Sequence, residues 1–132
     1  MCRMPKPRIE LTDGEWAIMR AVWPLEPCAA PAVQEALQDT RGWTYSTVRT
    51  LMDRMSVKGL LKTEKVRHLT LYRSNVTSEE AQRGEVLYAL DKAFSGALTP
   101  MVMCLLDTSD LDGAELADLE RLIRERRRKA KS

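Results

Sequence analysis

The sequence predicts a mainly α-helical protein with one small β-hairpin, arranged as an N-terminal domain and a helical C-terminal region. Three observations carry the prediction. Apolar residues recur three and four apart through most of the chain, as amphipathic helices require. Residues 60–75 break that rhythm with a run of Leu, Thr, Val and Tyr in partial alternation, as strands do. Charge is also segregated: residues 44–75 hold seven basic side chains against two acidic ones and residues 76–123 three against ten, while the whole chain is only +2.

Thr12-Asp13-Gly14-Glu15 fits a capping box, so a first helix starts there. Trp16, Ile18, Met19, Val22 and Trp23 follow at helical spacing as core residues, and Pro24 is expected to stop the helix. Pro24-Leu25-Glu26-Pro27 reads as a turn, with Cys28 and Ala29 as a very short extended stretch. Pro31 suits the first turn of a second helix, which has Val33, Ala36 and Leu37 on its inner face and ends at Arg41-Gly42. Thr44 or Tyr45 opens a third helix, in which Val48, Leu51, Met52 and Met55 fall at i, i+3, i+4 and i+7 as a core stripe. Gly59 closes it, Leu60-Leu61 begin the extended run, and the chain reverses near Val66-Arg67-His68 without an Asn-Gly turn. Thr77-Ser78-Glu79-Glu80 starts a fourth helix, with acids in its first turn and a wide apolar face broken at Ser95-Gly96. An apolar stretch at 101–106 follows Thr99-Pro100, and a last helix runs from near Leu111 with Leu116, Leu119, Leu122 and Ile123 inside.

The chain of 132 residues, 44% hydrophobic and 30% charged, suits one domain with a core and a small second unit, and is too apolar to be disordered throughout. No apolar run approaches the ~20 residues that span a bilayer, and the basic start has no apolar segment behind it, so a cytoplasmic protein without membrane insertion is expected. Cys2, Cys28 and Cys104 lie far apart with no Cys-x-x-Cys pair, which argues against a disulfide framework and a zinc site. Cys28 and Cys104 are expected to pack as small apolar residues. With His68 the lone histidine, and no Gly-rich phosphate loop, Gly-x-Ser-x-Gly or His-Glu-x-x-His, neither an enzyme nor a metal or other cofactor is expected.

Helix, short strand, helix, helix, hairpin is the order of a winged helix-turn-helix. Residues 9–76 match it, after a flexible N-terminus at 1–8 and before a helical dimerisation region with a basic tail at 77–132. In such a domain the third helix enters the major groove of duplex DNA. Turning about 100° per residue from Val48 puts Ser46, Thr47, Arg49, Thr50, Asp53 and Arg54 on the arc opposite the core stripe. Ser46, Thr47, Arg49 and Thr50 are the candidates to read bases, since Arg can be bidentate to guanine and hydroxyls can meet base edges. Tyr45, Arg54, Lys58, Lys62, Lys65, Arg67 and His68 are the candidates to hold phosphates, which position a protein without reading sequence. Trp43 and Tyr45 can equally pack, and Asp53 is unfavourable near phosphate unless it is paired with Arg49, Arg54 or Lys58.

The C-terminal apolar faces exceed what short helices can bury against the first domain. Leu87, Leu90, Phe94, Val102, Leu105, Leu116, Leu119 and Ile123 are expected to join two copies as a homodimer that presents two recognition helices to a palindromic operator. The tail at 124–131 reads as a helix end whose cations suit the dipole, or as a second DNA contact. The alternative function is a winged-helix module that mediates protein assembly without reading DNA.

Two segments carry a family likeness. Leu11-Thr12-Asp13-Gly14-Glu15-Trp16-Ala17-Ile18-Met19 with Val22-Trp23, and Tyr45-Ser46-Thr47-Val48-Arg49-Thr50-Leu51-Met52-Asp53-Arg54-Met55 with Lys58-Gly59-Leu60-Leu61, resemble the penicillinase repressor family (BlaI/MecI/CopY). Tyr72 and the Leu116/Leu119 pattern follow at matching distances, so the resemblance covers 11–123. It implies a bacterial winged-helix repressor that binds DNA as a dimer and controls an operon for antibiotic resistance, metal handling or envelope stress. In penicillinase-type members a membrane-bound sensor protease cuts between Asn and Phe; Cys104-Leu105 stands at that place here, so the implied cleavage site has a different bond. Copper-type members close with a Cys-x-Cys…Cys-x-Cys tail, whereas this chain ends Arg-Arg-Arg-Lys-Ala-Lys-Ser, which excludes copper sensing through that motif.

Overall fold

A computed structural model describes residues 9–131; the flexible start expected at 1–8 lies outside them. Thr12 begins α1 (Asp13–Leu25): its hydroxyl accepts the Glu15 amide at 3.2 Å, and the Glu15 carboxylate accepts the Thr12 amide at 2.9 Å. Pro24 does not stop this helix. Its ring holds φ in the helical range and removes one bond from the last turn only, so the helix runs on until Glu26, made extended (ψ 143°) by Pro27 after it. Cys28 then forms a single antiparallel bridge with Tyr72, through amide-to-carbonyl bonds of 3.1 and 2.7 Å. Next, α2 (Ala30–Arg41) carries Pro31 in its first turn and ends on Gly42 in the left-handed region. It buries Val33 and Leu37, while Ala36 faces outward rather than inward. Between the Thr44 cap and left-handed Gly59 lies α3 (Tyr45–Lys58), which buries Val48, Met52 and Met55, with Leu51 at the edge of the core.

The hairpin follows at once. Strands β1 (Leu61–Val66) and β2 (Leu69–Ser74) pair antiparallel from Leu61↔Ser74 to Val66↔Leu69, leaving Arg67 and His68 as a two-residue turn. Arg67 takes the positive φ of 62° that such a tight reversal demands at its first position. Alternation puts Lys65, Thr63, Thr70 and Tyr72 on one face and Lys62, Glu64, Leu71 and Arg73 on the other. Tyr72 joins Ile18, Met19, Val22, Val33, Val48, Met52 and Met55 in one closed core, all at 0% exposure. Three helices, a bridge and a hairpin on that core are a winged helix-turn-helix.

The chain divides into two units, one ending at Tyr88 and the other beginning at Ala89, so the first part of α4 (Ser78–Phe94) belongs with the winged unit. There Ala81 and Gly84 are buried, and the Trp23 indole donates to the Val76 carbonyl at 3.0 Å. Gly84 is needed for space, since a Cβ at that position would lie 1.8 Å from the carbonyl oxygen of Ile9. Positive φ at Ser95 and Gly96 ends α4 where the apolar pattern breaks. In the second unit the stretch at 101–106 lies within α5 (Leu98–Thr108), and α6 (Gly113–Lys131) starts behind Asp112, whose carboxylate accepts the Glu115 amide at 2.8 Å. Neither α5 nor α6 has a buried residue, although both carry apolar stripes. Among the described residues no single helix is long and apolar enough to cross a membrane.

Candidate nucleic-acid interface

The outer face of α3 is built around one arginine. Arg49 Nε lies 3.3 Å from each carboxylate oxygen of Asp53, one turn on, and its Nη1 donates to the Tyr45 hydroxyl at 3.3 Å. The Tyr45 hydroxyl first, with Tyr72 and Asp53 behind it, holds the guanidinium above its already high pKa, so Arg49 is a permanent cation. Asp53 thus has the local pairing that an acid on this arc requires. Ser46, Thr47 and Thr50 are exposed beside Arg49, and the Thr47 hydroxyl accepts from Thr44 at 3.1 Å within the helix cap.

Below the helix, Tyr72 is fully buried as a ring, yet its hydroxyl donates to Asp53 Oδ1 at 2.8 Å. Burial, and then the Asp53 charge, push this phenol up to about 12, so it remains a donor at neutral pH. An aromatic hydroxyl in phase with core-facing Leu61 was the one signal in the sequence that this strand position needs a polar partner.

The expected phosphate set divides. Among the described residues no ion pair involves Arg54, Lys62, Lys65 or Arg67, while Arg73 stands 3.9 Å from Glu64 across the hairpin. Arg54, Lys65, Arg67, His68 and Tyr45 are all exposed; Lys62 is exposed too, but on the opposite face of the hairpin from Lys65. Lys58, expected at phosphates, is also engaged within the fold. Its ammonium is 2.6 Å from the carboxylate of Glu15, whose side chain is only 5% exposed, and so ties the end of α3 to the start of α1. Burial raises the Glu15 pKa, but the Lys58 ammonium and the Thr12 amide outweigh it, and the net shift is downward. Cys28 is buried, and burial followed by the Glu26 charge raises its thiol pKa, which leaves it a packing residue.

In α4, Leu87, Leu90 and Phe94 are half-buried, whereas Val102, Leu105, Leu116, Leu119 and Ile123 in α5 and α6 are exposed. Cys104 and Leu105 both lie exposed in mid-helix, so a protease, which takes its substrate extended, would first have to unwind α5. No cluster of three or more His, Cys, Asp or Glu able to hold a metal occurs among the described residues.

The sequence pattern described as "Penicillinase repressor" matches residues 11–125. The chain belongs to that family. It is thus a member of a family of transcriptional repressors rather than of enzymes. Among curated relatives, an uncharacterised 16.5 kDa protein from Latilactobacillus sakei is 30% identical over 86% of this chain and 78% of its own length. The methicillin resistance regulatory protein MecI of Mammaliicoccus sciuri is 25% identical over 86% of this chain and 93% of its own. Among solved structures, the monomeric form of Bacillus licheniformis BlaI in complex with the blaP half-operator aligns with a TM-score of 0.49 at 23% identity, covering 56% of this chain and 90% of that one.

Proposed function

We propose that this penicillinase-repressor member is a sequence-specific DNA-binding repressor that works in the cytoplasm as a homodimer on a palindromic operator. The observation that carries the proposal is the outer face of α3 and the wing: Arg54, Lys65 and Arg67 are exposed cations with no ion-pair partner among the described residues, beside the exposed hydroxyls of Ser46, Thr47 and Thr50. Arg49, Ser46, Thr47 and Thr50 read bases; Arg54, Lys65, Arg67, His68 and Tyr45 hold the backbone. Lys58 serves the fold, and Lys62 is a peripheral phosphate contact at most.

Support for the homodimer comes from α6, where Leu116, Leu119 and Ile123 form an i, i+3, i+7 stripe that is 42%, 39% and 57% exposed in the single chain. Two copies supply two half-sites, and linkage of the two binding events supplies affinity that one set of contacts lacks. A membrane-bound sensor protease acting at Cys104-Leu105 is the release partner that the family likeness implies, and it requires α5 to open.

Titration of duplex with salt tests the reading. Six neutralised phosphates per dimer, from Arg54, Lys65 and Arg67, give a log–log slope of about −5, or roughly 10³-fold weaker binding between ~50 and ~200 mM salt. Arg67→Ala lowers that slope by about 2 for all sequences, whereas Arg49→Ala relaxes preference at one position per half-site at ~1–3 kcal/mol. Binding to random duplex that ignores salt would overturn the DNA reading in favour of a protein-assembly module.

A further inference from the structure

We infer that Tyr72 and Asp53 are positioning residues for Arg49: the wing strand, through a buried phenol and an exposed carboxylate, sets the aim of the arginine on the recognition helix. The inference rests on the reading in which Arg49 meets a base edge. Two facts motivate it. A phenylalanine would fill the fully buried site of the Tyr72 ring equally well, so the distinctive feature is the hydroxyl, 2.8 Å from Asp53 Oδ1. That same carboxylate takes Arg49 Nε at 3.3 Å through both oxygens, on a face where an unpaired acid would repel phosphates.

The geometry leaves the arginine usable. Nε is spent on Asp53 and one Nη1 proton on Tyr45, which leaves three of the five guanidinium N–H groups, including one on each Nη, for an end-on bidentate pair with guanine. A long side chain already held loses less rotamer freedom on binding, so the preorganisation strengthens the specific complex rather than the non-specific one. Tyr72 also exchanges both backbone hydrogen bonds with Cys28 in the connection between α1 and α2. Its hydroxyl is therefore referenced to the core and not to the tip of the wing.

The test uses the full chain, a duplex selected by the wild-type protein from a random pool, and a random duplex of equal length. Tyr72→Phe is expected to weaken binding to the selected duplex about tenfold while leaving random-duplex affinity, salt slope and thermal unfolding nearly unchanged. In an Arg49→Ala background the same substitution should change nothing further. Asp53→Asn, which keeps an acceptor for Tyr72 but removes the charge, should raise random-duplex affinity and yet weaken binding to the selected duplex, a pairing that loss of a repulsive charge alone cannot produce. Equal losses on both duplexes with Tyr72→Phe, or a full effect that persists without Arg49, would overturn the inference. If Arg49→Ala alone leaves discrimination intact, the base-reading role fails, and the positioning role fails with it.

Discussion

Helices α3 and α6 carry the same sequence signal and meet opposite fates. Val48, Met52 and Met55 are spaced i, i+4, i+7 and have no exposed surface; Leu116, Leu119 and Ile123 are spaced i, i+3, i+7 and are each about half exposed. The difference extends to their units: the winged unit closes a core of its own, whereas neither α5 nor α6 buries any residue. Periodicity states which face of a helix is apolar and is silent on what covers it. In the first unit the cover is the rest of that unit. In the second we attribute it to another copy.

Three variants probe that contrast. The largest effect is expected from Leu119→Asp combined with Ile123→Asp, which should convert the protein to monomer in analytical sedimentation and weaken operator binding by about 10²–10⁴-fold, with core unfolding unaffected. A variant that sediments like wild type would place the contact elsewhere. Met52→Ala opens a cavity in the closed core and should cost ~2–5 kcal/mol in denaturant unfolding. Leu122→Ala, on half-exposed α6, should cost far less at concentrations where the protein is monomeric, and equal costs would erase the distinction between the units.

The smallest effect tests a pair within the first unit. The Glu15 carboxyl titrates below 4.5 in the folded chain, so the unfolded chain binds that proton first and stability rises with pH through this range. Its contribution is complete above the ordinary value and is lost as pH falls through the folded one. Lys58→Met leaves Glu15 buried without its cation at a cost of ~1–3 kcal/mol near neutrality, and the gap from wild type should close below about pH 4.5. A gap that stays constant with pH would mean that Lys58 acts through packing.

Much of the winged unit was legible because its determinants are local. The Thr12/Glu15 box, the glycines at 42 and 59 and the α3 stripe act within a turn or two of themselves, and each lies where the pattern put it. Pro24 misled because the rule against internal proline weakens in a helix's final turn, and the true stop is the extended residue before Pro27. The hairpin formed without an Asn-Gly turn because a buried Tyr72 and its bridge to Cys28 fix the register from the core side. What stayed hidden was long-range: Lys58 to Glu15, Tyr72 to Asp53 and the Ile9 backbone over Gly84 join residues that no periodicity relates. For the same reason the exposed residues of α3 are legible as a set of side chains but not as a network, in which Lys58 is tied to Glu15 and Arg49 to Asp53.

The tip of the wing shows two demands meeting at a single residue. Arg67 occupies the left-handed region, where any side chain costs about 1 kcal/mol and glycine sits freely. A lineage selected only for heat tolerance would drift toward glycine there, and one selected for grip on a polyanion would keep the cation and accept the weaker reversal. Glycine at this position would ease the reversal and give up a cation, so stability and charge are set against each other at the tip of the wing.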